Sequence, residues 1–224
     1  MEVSSNWNRY MEVVKADPNR DSGRTRVSTK KRSSKRRNSS KPDQPNPRKR
    51  PNDTQREARL TEVVALDCEM VGIQDGNESM LARVSIVNSK GQTLYDTFVK
   101  PTEPVVDYRT NVSGVRPSDL ENGQDFQLVQ TTVANMIKGR ILVGHALKND
   151  MQVLYLSHPR RKTRDTSKYK PFREINQGRT PSLKKLAQEI LGVTLQSGEH
   201  SSVEDARAAM QLYNMYRKQW ESGR

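Results

Sequence analysis

An apolar run over residues 63–70 is interrupted by two acids, Asp67 and Glu69. Such a run predicts a buried β-strand, and because side chains alternate along a strand, both acids point to one face. Two neighbouring carboxylates in a buried strand repel each other and lose hydration. A divalent cation offsets this cost, since Mg²⁺ is typically held by one or two carboxylates together with phosphates. The pair therefore predicts a metal site on a central strand.

The charge of the chain is divided unevenly. Residues 1–60 carry 17 Lys and Arg against 7 Asp and Glu, so they supply +10 of the net charge of +13. They contain few apolar residues, and such a composition cannot offset the entropy of ordering. We therefore expect a basic, largely disordered tail over residues 1–60. The apolar content of residues 61–220 predicts one folded domain.

Two features of this tail indicate partners. Basic clusters at residues 30–37 and 48–51 predict nuclear import or non-specific phosphate binding, and a merely solubilising charge run is the alternative. Four apolar residues have the spacing of one helix face: Trp7, Tyr10, Met11 and Val14. This pattern indicates a helix that binds a protein partner, a helix that docks on the chain's own domain, or chance.

Two observations limit the class of protein. No apolar stretch approaches the roughly 20 residues that span a membrane, and the N-terminus lacks the order of a signal peptide, so we expect no membrane association. Cys68 is the one cysteine, which excludes an intrachain disulfide. It is predicted to be a small core residue on the face opposite Asp67 and Glu69.

Strands precede helices in the predicted domain. After the first strand, segments 81–87 and 92–99 flank a turn at residues 88–91, which predicts a meander. Helices are predicted at residues 126–137, 149–156, 180–192 and 203–219, with a short buried strand at residues 141–144. The third helix is expected to open with Thr180 as N-cap and Pro181 in its first turn, and to end at Gly192. This order predicts an α/β or α+β domain around a mixed central sheet flanked by helices.

Further acids occur at Asp150, after the short strand, and at Asp205, five residues after His200. Each acid alone is weak evidence for a functional site, because the helix dipole favours an acid in the first turn of a helix. Together with Asp67-Cys68-Glu69 they resemble the three motifs of the DEDD exonuclease superfamily. Ser201 stands where one branch has tyrosine, and the spacing from His200 to Asp205 is similar to that of the DEDDh branch.

Other segments extend the resemblance across residues 61–220, toward the RNA exonuclease 4 group within that branch. They are residues 65–72, 81–85, 99–105, 107–110, 158–159, 164–166 and 201–206. The resemblance implies a ribonuclease H-like exonuclease fold. It also implies 3′–5′ hydrolysis of RNA, ribosomal RNA precursors as substrates, and a nuclear location, in the nucleolus.

The resemblance assigns a role to each site residue. Asp67, Glu69, Asp150 and Asp205 would hold two divalent ions, Mg²⁺ or alternatively Mn²⁺, and His200 would act as general base. His145 would be structural or support the site. Met70 would pack against the terminal sugar, with a core methionine as the alternative, and Arg109 would contact a nucleotide, with a surface ion pair as the alternative.

The basic loop that contains Arg160, Arg161 and Lys162 is expected to follow the phosphate backbone. A merely solvated face is the alternative, since residues 61–224 carry a net charge of only +3. The expected partner is RNA with a free 3′ end. Single-stranded DNA is the alternative substrate, because acidic motifs do not distinguish ribose from deoxyribose. A non-catalytic RNA-binding assembly factor is a third hypothesis, and the complete set of four acids and His200 argues against it.

Overall fold

A six-stranded mixed sheet forms the centre of the fold in this computed structural model, which describes residues 58–195 and 199–222. The strands are β1 (Val63–Ile73), β2 (Glu78–Asn88), β3 (Thr93–Phe98), β4 (Val105–Asp107), β5 (Ile141–Gly144) and β6 (Thr163–Asp165). Their order is β3-β2-β1-β5-β6, and β4 pairs with β1 off this path. Strands β5 and β6 run parallel to β1, whereas the remaining pairings are antiparallel. The predicted mixed sheet is confirmed.

The tight turn between β2 and β3 forms where the sequence predicts it. The Asn88 side chain accepts hydrogen bonds of 3.0 Å from the backbone amides of Lys90 and Gln92. The Gly91 amide donates to the Asn88 carbonyl at 2.9 Å, with Gly91 at φ +78°. Asparagine and glycine favour such turns because the first bonds its own backbone and the second accepts positive φ.

Helices cover both faces of the sheet. They are α1 (Thr110–Ser113), α2 (Pro117–Glu121), α3 (Phe126–Ile137), α4 (Lys148–Val153), α5 (Lys170–Ile175), α6 (Leu183–Leu186) and α7 (Ser202–Ser222). A 3₁₀ turn covers Arg160–Lys162, and a π turn over Ala187–Leu191 continues α6. None of the described helices has the length and apolarity that a membrane-crossing segment needs.

Alternation along β1 divides the core between two layers. Val64, Leu66 and Cys68 pack with residues of α3 and α4. Val63 and Ala65 pack on the other face, with residues of α7. By the period of two, Asp67 and Glu69 continue the face toward α7, and Cys68 is a buried core residue as predicted.

Three helices differ from their predicted bounds. Helix α4 ends at Val153 rather than 156, and Tyr155 beyond it adopts φ +50°, which is incompatible with a right-handed helix. The helix predicted to open at residues 180–181 begins after Ser182, whose hydroxyl accepts from the Lys185 amide, and it ends before Gly192 as predicted. Helix α7 is longer than predicted at both ends. The tail features at residues 7–14, 30–37 and 48–51 lie outside the described residues.

Candidate active site

The two acids of β1 lie beside the start of α7. Glu69 is 6% exposed, and Asp67 is half-buried. Asp67 pairs in register with Ser85 of β2. The Ser85 hydroxyl lies 2.6 Å from the Ser202 hydroxyl, and both serines are buried. This contact fixes the first residue of α7 next to the acid pair.

Asp150 reaches the same place from the opposite layer. It lies in the first turn of α4, after the N-cap Leu147, and is buried. Its Oδ1 accepts a 3.0 Å hydrogen bond from the Cys68 amide, between the two acids of β1. Gly144 permits the close approach of α4 to β1, because a Cβ there would lie 2.4 Å from Leu147 Cδ2 and 2.9 Å from the Leu66 carbonyl oxygen.

Asp205 and His200 complete the group from α7 and the residues before it. Asp205 lies in the first turn of α7, as predicted. Its Oδ2 is 3.1 Å from Nδ1 of His200, whose side chain is 48% exposed. The structure thus brings together all five residues that the three motifs supply. We call Asp67, Glu69, Asp150 and Asp205 the carboxyl cluster.

Burial raises the pKa values of all four carboxyl groups of the cluster, and charges within the cluster add to the shifts of Asp67 and Glu69. Burial, and then the charges of Asp150, Asp205 and Glu69, raise the pKa of Asp67 well above its usual range. Burial and the charge of Asp205 raise the pKa of Glu69 to about 8. Burial raises the pKa of Asp150 to about 7. Burial also raises the pKa of Asp205, although its hydrogen bond to His200 opposes the shift. Mutual repulsion of this kind is typical of functional sites.

The donor atoms of the cluster fit hard divalent cations. Glu69 Oε1 is buried and has no hydrogen-bond partner among the described residues. Carboxylate oxygens are the ligands that Mg²⁺ or Mn²⁺ prefers, and the unpartnered Glu69 oxygen is available to such an ion. Within residues 58–195 and 199–222, no three His, Cys, Asp or Glu side chains form a ready-made metal cage. The fit therefore rests on the chemistry of the carboxylates and the orphaned Glu69 oxygen.

A cavity of about 260 Å³ opens beside the cluster. It is lined by Asp67, His145, Ser182, Leu183, Lys184, Leu195, Glu199, His200, Ser201, Glu204 and Asp205. Sequence reasoning assigned no role at the cavity to Ser182 or Lys184, since neither belongs to a motif. His145 was expected to be structural or supporting. Its Nδ1 lies 2.8 Å from Thr166 Oγ1, and its side chain lines the cavity. Burial lowers the pKa of His145.

Two of the expected substrate contacts lie near β1 in different settings. Met70 is half-buried and packs against the core cluster that includes Leu66 and Leu81, which is the alternative that the sequence left open. Arg109 donates to Ser79 Oγ at 2.8 Å and to the Gly76 carbonyl at 2.7 Å. The guanidinium of Arg109 therefore fastens the turn between β1 and β2.

The expected phosphate-binding loop lies away from the cluster. Arg160, Arg161 and Lys162 precede β6, whose first residue pairs with Leu142 of the parallel strand β5. Lys162 Nζ donates to the Gly139 carbonyl, before β5 begins. Asp150 follows the other end of β5, so the structure does not bring this loop and the carboxyl cluster together.

The comparisons with known proteins agree with this geometry. The family model described as Exonuclease matches residues 64–213. RNA exonuclease 4 of Mus musculus is 58% identical over 164 residues, and that of Homo sapiens is 59% identical over 165 residues. Each alignment covers 73% of this chain but only 38% or 39% of the relative. The chain thus spans about two fifths of the length of these relatives.

Solved structures give the same fold. The Neurospora crassa Pan2 catalytic unit, with protease and nuclease domain, has a TM-score of 0.63 and 29% identity over 77% of this chain and 29% of that chain. The Saccharomyces cerevisiae Pan2 pseudoubiquitin hydrolase–RNA exonuclease module in complex with AAUUAA RNA has a TM-score of 0.62 and 31% identity over 71% of this chain and 29% of that chain. The ribonuclease H-like exonuclease fold and the DEDDh resemblance are confirmed. The chain belongs to the exonuclease family, in its DEDDh branch and with RNA exonuclease 4 among its relatives.

Proposed function

We propose that this chain is a metal-dependent 3′–5′ exoribonuclease that hydrolyses phosphodiester bonds. The observation that carries the proposal is the convergence of four carboxyl groups and an imidazole beside an open cavity. The carboxyl groups repel one another in the fold, and a bound divalent cation offsets this repulsion and can in turn bind an anionic phosphodiester. The relatives named RNA exonuclease 4 and the Pan2 module with bound RNA support RNA as the substrate.

Each residue of the site has a role in this proposal. Asp67, Glu69, Asp150 and Asp205 would hold two divalent ions. When bound, such ions lower the pKa of water and stabilise charge on the leaving oxygen. His200 takes the proton from the attacking water. An imidazole that donates Nδ1–H to Asp205 keeps its lone pair on Nε2, and this nitrogen is therefore the base.

The residues outside the cluster supply substrate contacts. Met70 lies next to Glu69 in the chain and would pack on the terminal sugar from its half-buried position. Arg109 would contact a nucleotide from the turn that it fastens. Arg160, Arg161 and Lys162 would contact only RNA that extends past the far end of β5. The basic clusters of residues 1–60 support a nuclear location. The nucleolus and ribosomal RNA precursors as substrates follow only from the resemblance to the RNA exonuclease 4 group.

A direct assay tests the proposal. Purified protein is incubated with single strands of 5′-labelled RNA or DNA, with Mg²⁺, Mn²⁺ or chelator. We expect RNA to shorten stepwise from its 3′ end with either cation and not with chelator. Immediate release of the labelled nucleotide would reverse the direction, and preference for DNA would establish a DNA exonuclease. RNA binding without hydrolysis would establish an assembly factor.

Variants connect the activity to the cluster. Asp67→Ala or Asp205→Ala should abolish hydrolysis, because each removes a carboxylate that no neighbour replaces. Glu121→Gln changes an exposed acid on α2 and serves as the control. Full activity in a folded Asp67→Ala protein would contradict the site assignment. Circular dichroism establishes that each variant is folded.

A further inference from the structure

Glu199 and the backbone of His200 contact α1 and the residues that connect it to α2. The His200 amide donates a 2.8 Å hydrogen bond to the Val112 carbonyl. One residue earlier, Glu199 Oε1 lies 2.5 Å from Nη2 of Arg116. Val112 and Arg116 flank Gly114, which caps α1. We call Val112, Gly114 and Arg116 the His200 platform.

Gly114 lets the two segments approach closely. A Cβ at this position would lie 3.1 Å from the His200 carbonyl oxygen and 3.4 Å from the Glu199 Cβ. Gly114 also has φ +66°, a conformation that a side chain strains. Gly139 shares the positive φ, at +75°, but a Cβ there would meet nothing within 4 Å. The contact at Gly114 is therefore with the backbone of His200 itself.

The platform supplies what Asp205 alone does not. Asp205 bonds one nitrogen of the imidazole, which leaves the backbone of His200 to be placed by other contacts. His200 precedes α7, so no hydrogen bond within the helix holds its amide. The bond to Val112 and the ion pair of Glu199 with Arg116 hold that backbone instead.

We propose that the platform positions His200 for proton transfer, and that Arg116 is a positioning residue although it touches no reacting atom. The inference rests on the proposed function, in which His200 is the base. The Arg116–Glu199 pair is half exposed, with side-chain exposures of 53% and 46%, so it contributes little to global stability. Its loss acts instead on the placement of one catalytic group.

The first experiment separates placement from binding and stability. We expect Arg116→Ala to lower kcat about tenfold, because a misplacement of roughly 1 Å can cost up to about 100-fold, while KM for RNA and Tm stay at wild-type values. The control is Arg217→Ala, which changes an exposed arginine on a different element, α7. Its kcat should equal that of wild type. The double variant Arg116→Glu/Glu199→Arg restores the pair with reversed charges and should recover most of kcat. An Arg116→Ala protein with wild-type kcat would overturn the inference.

The second experiment uses the metal-free protein and needs no catalysis. Hydrogen exchange of the His200 amide, followed by NMR, reports its bond to Val112 directly. We expect Gly114→Ala to accelerate this exchange at least about tenfold, whereas Gly139→Ala, with similar backbone strain and no contact, leaves it unchanged. Unchanged exchange in a folded Gly114→Ala protein would refute the platform. A wild-type chain that hydrolyses no nucleic acid would overturn the proposed function, and the exchange would still decide whether the platform holds His200.

Discussion

At the scale of single residues, burial sets the protonation of the carboxyl cluster. Burial and neighbouring charge raise the pKa of Glu69 to about 8, and burial raises the pKa of Asp150 to about 7. Both groups therefore hold protons near neutral pH in the metal-free protein. A cation that binds must displace these protons, so its affinity increases with pH.

The stability of the metal-free protein should fall as pH rises from about 5 to 8. The unfolded chain loses the protons of Glu69 and Asp150 near their ordinary pKa values of 4.5 and 3.8, whereas the folded protein keeps them to about 8 and 7. Across this window the folded state binds more protons, so the free energy of unfolding decreases with pH. Calorimetry in chelator at several pH values measures the slope, and a Tm that rises over this range would contradict the shifts.

Glu69→Gln should raise the Tm of the metal-free protein at pH 8 and remove the stabilisation by Mg²⁺. The neutral amide removes the charge of Glu69 from the repulsion within the cluster and deletes one carboxylate ligand. Nuclease activity should fall more than about 100-fold, since lesser changes around metal ligands already cost that much. Thermal unfolding with and without Mg²⁺ gives the result, and Glu121→Gln, on the exposed side of α2, should behave as wild type.

At the scale of elements, length decides what the sequence can predict. The long apolar run of β1 and the apolar strand β5 are evident, and the core face of α3 follows from helical spacing. Strands β4 and β6 have three residues each, too few to display a period of two. Ser182 caps α6 rather than Thr180 because its hydroxyl reaches the Lys185 amide. Both residues are plausible caps by type, so sequence alone does not separate them.

The same limit applies to the site. Motifs with fixed spacing predict that Asp67, Asp150 and Asp205 belong to the site. Each lies in a strand or helix that can be recognised from the sequence. Lys184 enters the cavity from α6, whose position depends on packing against α7 and the sheet. No local pattern marks such a residue, and only the tertiary structure places it.

The contact between α7 and β2 should be measurable as a coupling energy. Ser202→Ala should cost about 1–2 kcal/mol, because it removes one partner of a buried hydrogen bond. Ser85→Ala should cost a similar amount, and the double variant less than the two together, with a coupling of about 0.5–1.5 kcal/mol. Chemical denaturation of the four proteins completes the cycle. Strict additivity would show that the two hydroxyls do not interact.

At the scale of the whole molecule, an ion pair joins the end of α7 to the sheet edge. Arg164 on β6 is 4% exposed in its side chain and pairs with Glu221 at 2.6 Å, and Tyr213 donates to the same carboxylate at 2.9 Å. The ring of Tyr169 stacks on Trp220 at 3.9 Å between centroids. These contacts fix the far end of the helix whose first turn carries Asp205.

Substitutions of Arg164 and of Arg160 should therefore differ in their effect on stability, although the two residues lie in one basic stretch of sequence. Arg164→Ala should destabilise the fold by about 2–3 kcal/mol, because it removes a buried guanidinium that bonds Glu221 and the carbonyls of Arg161 and Thr163. Arg160→Ala removes an exposed side chain and should leave Tm unchanged while reducing the salt dependence of RNA binding. Equal Tm values for the two variants would contradict the burial of Arg164.

The hydrogen bond from the Cys68 amide to Asp150 joins residues 82 positions apart in the chain. Asp205 lies farther along the chain, on α7, which packs against the sheet. A fragment of the chain that ends before α7 consequently lacks one of the four acids of the carboxyl cluster. The candidate site is thus complete only in the packed domain, because its acids come from elements far apart in the sequence.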